Sequence, residues 1–143
     1  MKRFRFRLQR ILDIREQLRD EARQELGRRN AELAHEESVL KGLEGELARL
    51  RASENGIVTA GEYLLMGSYA LRVQKLIEQQ YVRIEEARKL VIAAQERYIQ
   101  ANKEARALEL LKEKKRDEYG QEALKEEINQ LDEVATQRAA TRK

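Results

Sequence analysis

Residues 73–108 read VQKLIEQQYVRIEEARKLVIAAQERYIQANKEARAL, and their spacing decides the fold. Val73, Ile77, Gln80, Ile84, Ala87, Val91, Ala94, Tyr98, Ala101, Ala105 and Leu108 follow in unbroken steps of four and three. These steps average about 3.5 residues, the period that keeps one stripe of a helix facing a partner helix. A strand repeats every second residue and a disordered chain needs no repeat, so the stretch predicts a coiled-coil helix.

The N-terminal half carries a second, less regular stripe: Phe4, Leu8, Ile11, Arg15, Leu18, Ala22, Leu26, Arg29, Leu33, Glu36, Leu40, Leu43, Leu47 and Leu50. Two successive steps of four, from Leu18 to Ala22 to Leu26, form a stutter that locally unwinds a supercoil. Arg29 and Glu36 put polar groups in the stripe, so pairing is expected to be loose there. On this reading Phe4 belongs to the helix. The alternation of arginine and phenylalanine in KRFRFR (residues 2–7) is then a coincidence, neither a strand nor a targeting peptide, and Phe6 lies off the stripe as an exposed ring at a basic end.

Between the halves, RASENGIVTAGEYLLMGSY (residues 51–69) holds the signals for a reversal. Asn55 and Gly56 suit the left-handed conformation that ends a helix, and Thr59 with Glu62 has the spacing of a capping box. Gly61 and Gly67 predict an irregular entry, with a short separate helix over residues 57–66 at the turn. Helix 1 offers mainly leucines, whereas helix 2 sets Ala87, Ala94, Ala101 and Ala105 between larger side chains. Large against small lets two helices interdigitate, which favours an intramolecular pair, with homodimerisation an open alternative.

The predicted fold is all-α: two long helices in an antiparallel coiled-coil hairpin forming a single domain, with helix 1 over 1–54, a turn region over 55–68, helix 2 over 69–136 and a frayed tail over 137–143. At 1.5 Å per residue, about 50 residues of helix 1 run to about 75 Å, and a second helix counted from about residue 60 to 135 runs to about 110 Å, so a C-terminal helix overhangs the pair. Its apolar residues, Leu124, Ile128, Leu131 and Ala135, make one stripe without an internal partner.

Composition excludes most chemistry. Charged residues make up 38% and aromatics 5% of the 143 residues, too polar a balance for an ordinary globular core. Without cysteine there is no disulfide, thiolate metal site or thiol nucleophile. His35 is the one imidazole and reads as a solvated or stripe-edge residue. No phosphate-binding loop or histidine–carboxylate cluster is present, so no catalytic, metal or cofactor site is expected, and the glutamates read as partners in surface ion pairs. No apolar run approaches the roughly 18 residues of a membrane span, no apolar signal region follows the basic start, and Asp13, Glu16, Asp20 and Glu21 come too early for a transit peptide. A soluble, cytoplasmic protein is expected.

Surfaces hold more information. Lys2, Arg3, Arg5, Arg7 and Arg10 precede any acidic residue, and the hairpin brings Lys112, Lys114, Lys115 and Arg116 near them. This basic end fits ordinary charge patterning or an acidic protein surface. Nucleic acid is the weaker reading, because the net charge is only +3 and stacking aromatics are few. Gly27, Gly42 and Gly45 mark either close approach, bending or tolerated weakness in helix 1. Tyr98 falls on the stripe; Tyr63, Tyr69, Tyr81 and Tyr119 are placed to present rings at an interface.

Three stretches in this order, FRFRLQRILDIREQ (4–17), LLKEKKRDEY (110–119) and LDEVATQRAATRK (131–143), resemble the FliJ family of the bacterial flagellar type III export apparatus. The resemblance spans nearly the whole chain; the two-phenylalanine start and the lack of tryptophan on helix 2 depart from some members. It implies a non-enzymatic, cytoplasmic antiparallel coiled coil that looks like the stalk of rotary ATPases and associates peripherally with the inner-membrane export apparatus. Its implied partners are the hexameric export ATPase, whose assembly and activity it promotes by docking in the central pore, the export-gate membrane protein FlhA, and export chaperones. Carried onto this chain, the ATPase contact falls on Phe4, Phe6, Arg7, Leu8, Lys112, Lys115, Arg116, Leu131 and Asp132. The gate contact falls on Tyr69, Val73, Leu76 and Gln80, where closing the hairpin is the rival explanation. Two other functions compete: the equivalent stalk of a virulence injectisome, and a nucleic-acid-associated coiled coil.

Overall fold

The computed structural model describes residues 2–53, 56 and 59–142. Two α-helices account for nearly all of them, α1 (Gln9–Ser53) and α2 (Ala60–Thr141), with no strand among the described residues. They pair antiparallel within each of two compact units. The first unit comprises residues 2–20 and 100–142, the second residues 21–53, 56 and 59–99.

In the second unit the α2 stripe is the buried one: Val73, Ile84, Ala87, Val91 and Ala94 form the core and Gln80 lies among them. Contacts along this unit run in opposite senses on the two helices. The Arg23 guanidinium sits 5.8 Å from the Tyr98 ring centroid, Gln80 bonds Glu36, and the Tyr69 hydroxyl donates to Glu46. Pairing at Glu36 is therefore specific rather than loose. Gln80 Nε2 donates to the Glu36 backbone carbonyl at 2.8 Å and to the Glu36 carboxylate. Arg29 is held on its own helix by Glu25 and Glu32, at 2.9 and 3.0 Å.

The α1 stripe is more regular than its apolar residues indicate. Leu8, Leu12, Arg15, Arg19, Ala22, Leu26, Arg29, Leu33, Glu36, Leu40, Leu43, Leu47 and Leu50 are all buried or half-buried, in steps of four and three with no stutter. Leu12 is 2% exposed, whereas Ile11 and Leu18, the expected members, are 46% and 43% exposed. A change of phase would need a local unwinding of the helix, and without one the leucines from Leu26 to Leu50 carry their register into the residues before them. Of the three arginines in the stripe, Arg29 is paired on its own helix, and the other two are met by acidic partners on α2. Arg15 pairs with Glu104, and Arg19 with Glu109 at 2.8 Å.

The ends of the helices follow local chemistry. Thr59 and Glu62 form the expected reciprocal cap: Glu62 N–H donates to Thr59 Oγ1 at 3.2 Å, and Thr59 N–H points to the Glu62 carboxylate at 3.4 Å. From there α2 runs unbroken from Ala60, so residues 60–66 are its first turns rather than a separate short helix, and the rest of that expectation, at Ile57 and Val58, lies outside the described residues. Glycine inside a helix weakens it without removing a hydrogen bond, which is why Gly61 and Gly67 do not interrupt it. Gly56 closes a turn on the Ser53 carbonyl at 3.0 Å and has no left-handed φ; Asn55, the other half of that signal, lies outside the described residues. Gly27, Gly42 and Gly45 face open space, so close approach does not explain them.

In the first unit α1 begins only at Gln9, and residues 2–6 are not helical. Phe4 therefore is not on the helix. The alternation of the start has a physical counterpart instead: Phe4, Phe6 and Leu8 are half-buried while Arg3, Arg5 and Arg7 are exposed.

Candidate docking surface

The non-helical start is pinned to α2 by aromatic and backbone contacts. The Phe4 ring lies 5.5 Å from that of Tyr119 at an interplanar angle of 53°, a tilted geometry favourable to two π systems. The Arg116 guanidinium lies 5.7 Å from the Phe4 centroid, within reach of a cation–π attraction, and the Tyr119 hydroxyl donates to the Lys2 carbonyl. The entry into α1 is fixed by Gln9 N–H donating to the Phe6 carbonyl at 3.1 Å and by Gln9 Nε2 donating to Asp13 at 2.8 Å.

Beside this cluster an open groove of about 790 Å³ lies between the start of the chain and α2. Phe4, Phe6, Leu8 and Leu111 give it apolar walls, and Arg3, Arg5, Arg7 and Lys115 give it a cationic rim; Glu118 and Glu122 contribute acid on the α2 side. Such a surface suits an apolar side chain carried by a partner with negative charge nearby.

Four of the residues expected near an ATPase, Phe4, Phe6, Arg7 and Leu8, line this groove together with Lys115, and Arg116 caps the Phe4 ring. Lys112 is half-buried on α2 outside the lining. Leu131 and Asp132 are farther along, on a stretch of α2, residues 124–141, that is exposed throughout. Of the four residues expected at an export gate, Tyr69 and Leu76 are exposed, whereas Val73 and Gln80 are 1% and 4% exposed in the seam of the second unit. Tyr69 is tied to Glu46, and that hydrogen bond, with the adjacent negative charge, raises its phenol pKa. Tyr81 is similarly raised by Glu44, to which its hydroxyl donates at 3.1 Å.

Tyr119 is the residue whose role the sequence reading missed. The sequence alone groups it with the tyrosines placed to present rings at an interface, yet it anchors the start of the chain. The signal was available: continuing the steps of three and four from Leu108 through Lys112 and Lys115 arrives at Tyr119.

Among the described residues no cluster of histidine, cysteine, aspartate and glutamate is arranged to hold a metal ion, and no helix is long and apolar enough to cross a membrane. A search of curated proteins found no match. Among solved structures, the chain is 23% identical to a putative YscO homolog, CT670, from Chlamydia trachomatis, with 92% of this chain and 90% of that one covered and a TM-score of 0.42. The family model for the flagellar FliJ protein matches residues 4–143. By that match, the chain belongs to the FliJ family, non-catalytic stalk and chaperone-escort proteins of flagellar protein export.

Proposed function

We propose that the first unit is the end of this protein that docks in the pore of the hexameric export ATPase and promotes ring assembly and turnover. The observation that carries this reading is the groove at residues 2–8 and 111–122, where apolar walls and a cationic rim meet a helix that continues without an internal partner. Phe4, Phe6, Arg7, Leu8, Lys115 and Arg116 make the contact at the groove. Lys112 supports it from α2, and Leu131 and Asp132 extend it along the helix. Mixing the protein with the ATPase should raise turnover and ring formation; Phe6→Ala with Lys115→Glu should abolish both while far-UV circular dichroism stays helical. Equal stimulation by the double variant would refute the assignment.

The export-gate contact falls to Tyr69 and Leu76, the exposed pair of the four residues, with Val73 and Gln80 supporting them from the seam. FlhA and the export chaperones are the further partners, reached from the cytoplasm at the membrane-bound apparatus. Binding to FlhA should fall on Tyr69→Ala with Leu76→Ala and persist in the groove variant; the same loss from both variants would place the two contacts at one site.

A further inference from the structure

The first turns of α1 carry two stripes side by side. The one facing α2 is Leu12, Arg15 and Arg19, and the one beside it, Ile11, Ile14 and Leu18, is between 43% and 51% exposed. The exposed stripe is the more apolar, which inverts the usual order of burial. The observed arrangement rests on the ion pairs of Arg15 with Glu104 and Arg19 with Glu109, and it leaves Arg19 Nε buried without a hydrogen-bond partner. Partly exposed ion pairs contribute little and weaken with salt.

We propose that the first three turns of α1 are a rotational switch between two registers. The first is the observed one. The second is turned by one residue, about 100°, and sets Ile11, Ile14 and Leu18 against the Ala101 and Ala105 face of α2 while carrying Arg15 and Arg19 out to solvent. Three features support it. The face on α2 is small, with Ala105 wholly buried, so it accepts either set of side chains. The phase change has a place to be absorbed, because Ile14, Leu18, Ala22 and Leu26 follow in three successive steps of four, the spacing of two consecutive stutters, which together make up a shift of one residue. The start of the chain meets α1 through the non-helical residues 2–6, so with Phe4 held on α2 the turn is absorbed in that stretch without breaking a helical hydrogen bond. The first register displays an apolar stripe and the second a cationic one, so a ligand that prefers either display selects its register.

The chain has no cysteine, so a single one placed at position 11, 12 or 18 is the only thiol to react. At low salt a thiol at position 12 should be labelled far more slowly than one at 11 or 18. With Glu104→Gln and Glu109→Gln added, or in high salt with both glutamates kept, the order should reverse: 11 and 18 slow severalfold and 12 accelerates. Slowing at 11 and 18 is the decisive sign, since loosening or unfolding only accelerates labelling. An unchanged order, or acceleration at all three positions, overturns the switch; if the glutamine variants lose helical circular dichroism, the salt titration decides by the same criterion.

Discussion

Gln80 and Glu36 join the two helices of the second unit through one polar layer, in which the Gln80 side-chain amide serves both the backbone carbonyl and the carboxylate of Glu36. Gln80 is 4% exposed and its neighbours along the stripe are Val73, Ile77, Ile84 and Ala87; a shift of α1 by one heptad would replace its Glu36 partner with Leu43 or Arg29, neither of which offers a side-chain acceptor. A buried polar group of this kind fixes register at some expense of stability. Gln80→Ala should destabilise the protein by about 1–3 kcal/mol in urea unfolding, from a lost hydrogen bond and a small cavity. Gln80→Leu should lose less, while broadening amide resonances along residues 30–45 as competing registers appear.

Glu109 makes the first unit sensitive to acid. Burial pushes its carboxyl up, but the hydrogen bonds and charges of Arg19 and Arg106 outweigh that, so the group titrates below the usual carboxylate range. A depressed pKa contributes stability that is present above the unfolded pKa, near 4.5, and lost as pH falls through the folded value. Hydrogen exchange at residues 9–20 and 100–118 should therefore accelerate below about pH 4.5, relative to the second unit. Glu109→Gln should remove part of this difference; an identical acid profile in the variant would exclude Glu109 as its source.

Tyr119 holds the start of the chain through its ring and its hydroxyl, and the two contributions are separable. Tyr119→Phe keeps the ring contact with Phe4 and loses the bond to the Lys2 carbonyl; Tyr119→Ala loses both. Limited trypsin digestion at Arg3, Arg5 and Arg7 should be modestly faster in the first variant and much faster in the second. The aromatic pair contributes about 0.5–1.5 kcal/mol, which corresponds to roughly a two- to twelvefold change in the open population.

Gly27, Gly42 and Gly45 sit in α1 with nothing within 4 Å of an added Cβ. Replacing each with alanine should raise stability by up to about 1 kcal/mol, read as a higher urea midpoint at constant m-value. A loss of stability would show that these glycines serve a bent or closely packed state of the protein.

The sequence was most legible where packing was uniform. From Val73 to Leu108 every member of the α2 stripe is apolar or an isolated polar residue, and the structure buries or half-buries each one. The register of α1 before Ala22 was misread because hydrophobicity alone favours Ile11 and Leu18, whereas arginines with acidic partners on α2 occupy the stripe. Those partners are some 90 residues away in the chain, so no local pattern reveals the pairing. Phe4 was misread for a related reason: its place is set by Tyr119 and Arg116, not by the helix that follows it. The groove residues were legible as a basic, aromatic start, but the groove itself depends on that distant anchor.

The overhanging apolar stripe has an orientation as well as a length. Along α2 in the first unit the side facing α1 and the start of the chain passes through Ala101, Ala105, Leu108 and Tyr119, and the same phase continues to positions 122 and 126. Leu124, Ile128 and Leu131 are two residues out of that phase, about 200° around the helix. The helix thus changes sides at the point where its own chain ends as a partner. A partner that gripped Leu124, Ile128 and Leu131 would approach from the side opposite the one α1 occupies, and the pair would not need to come apart for the grip to form.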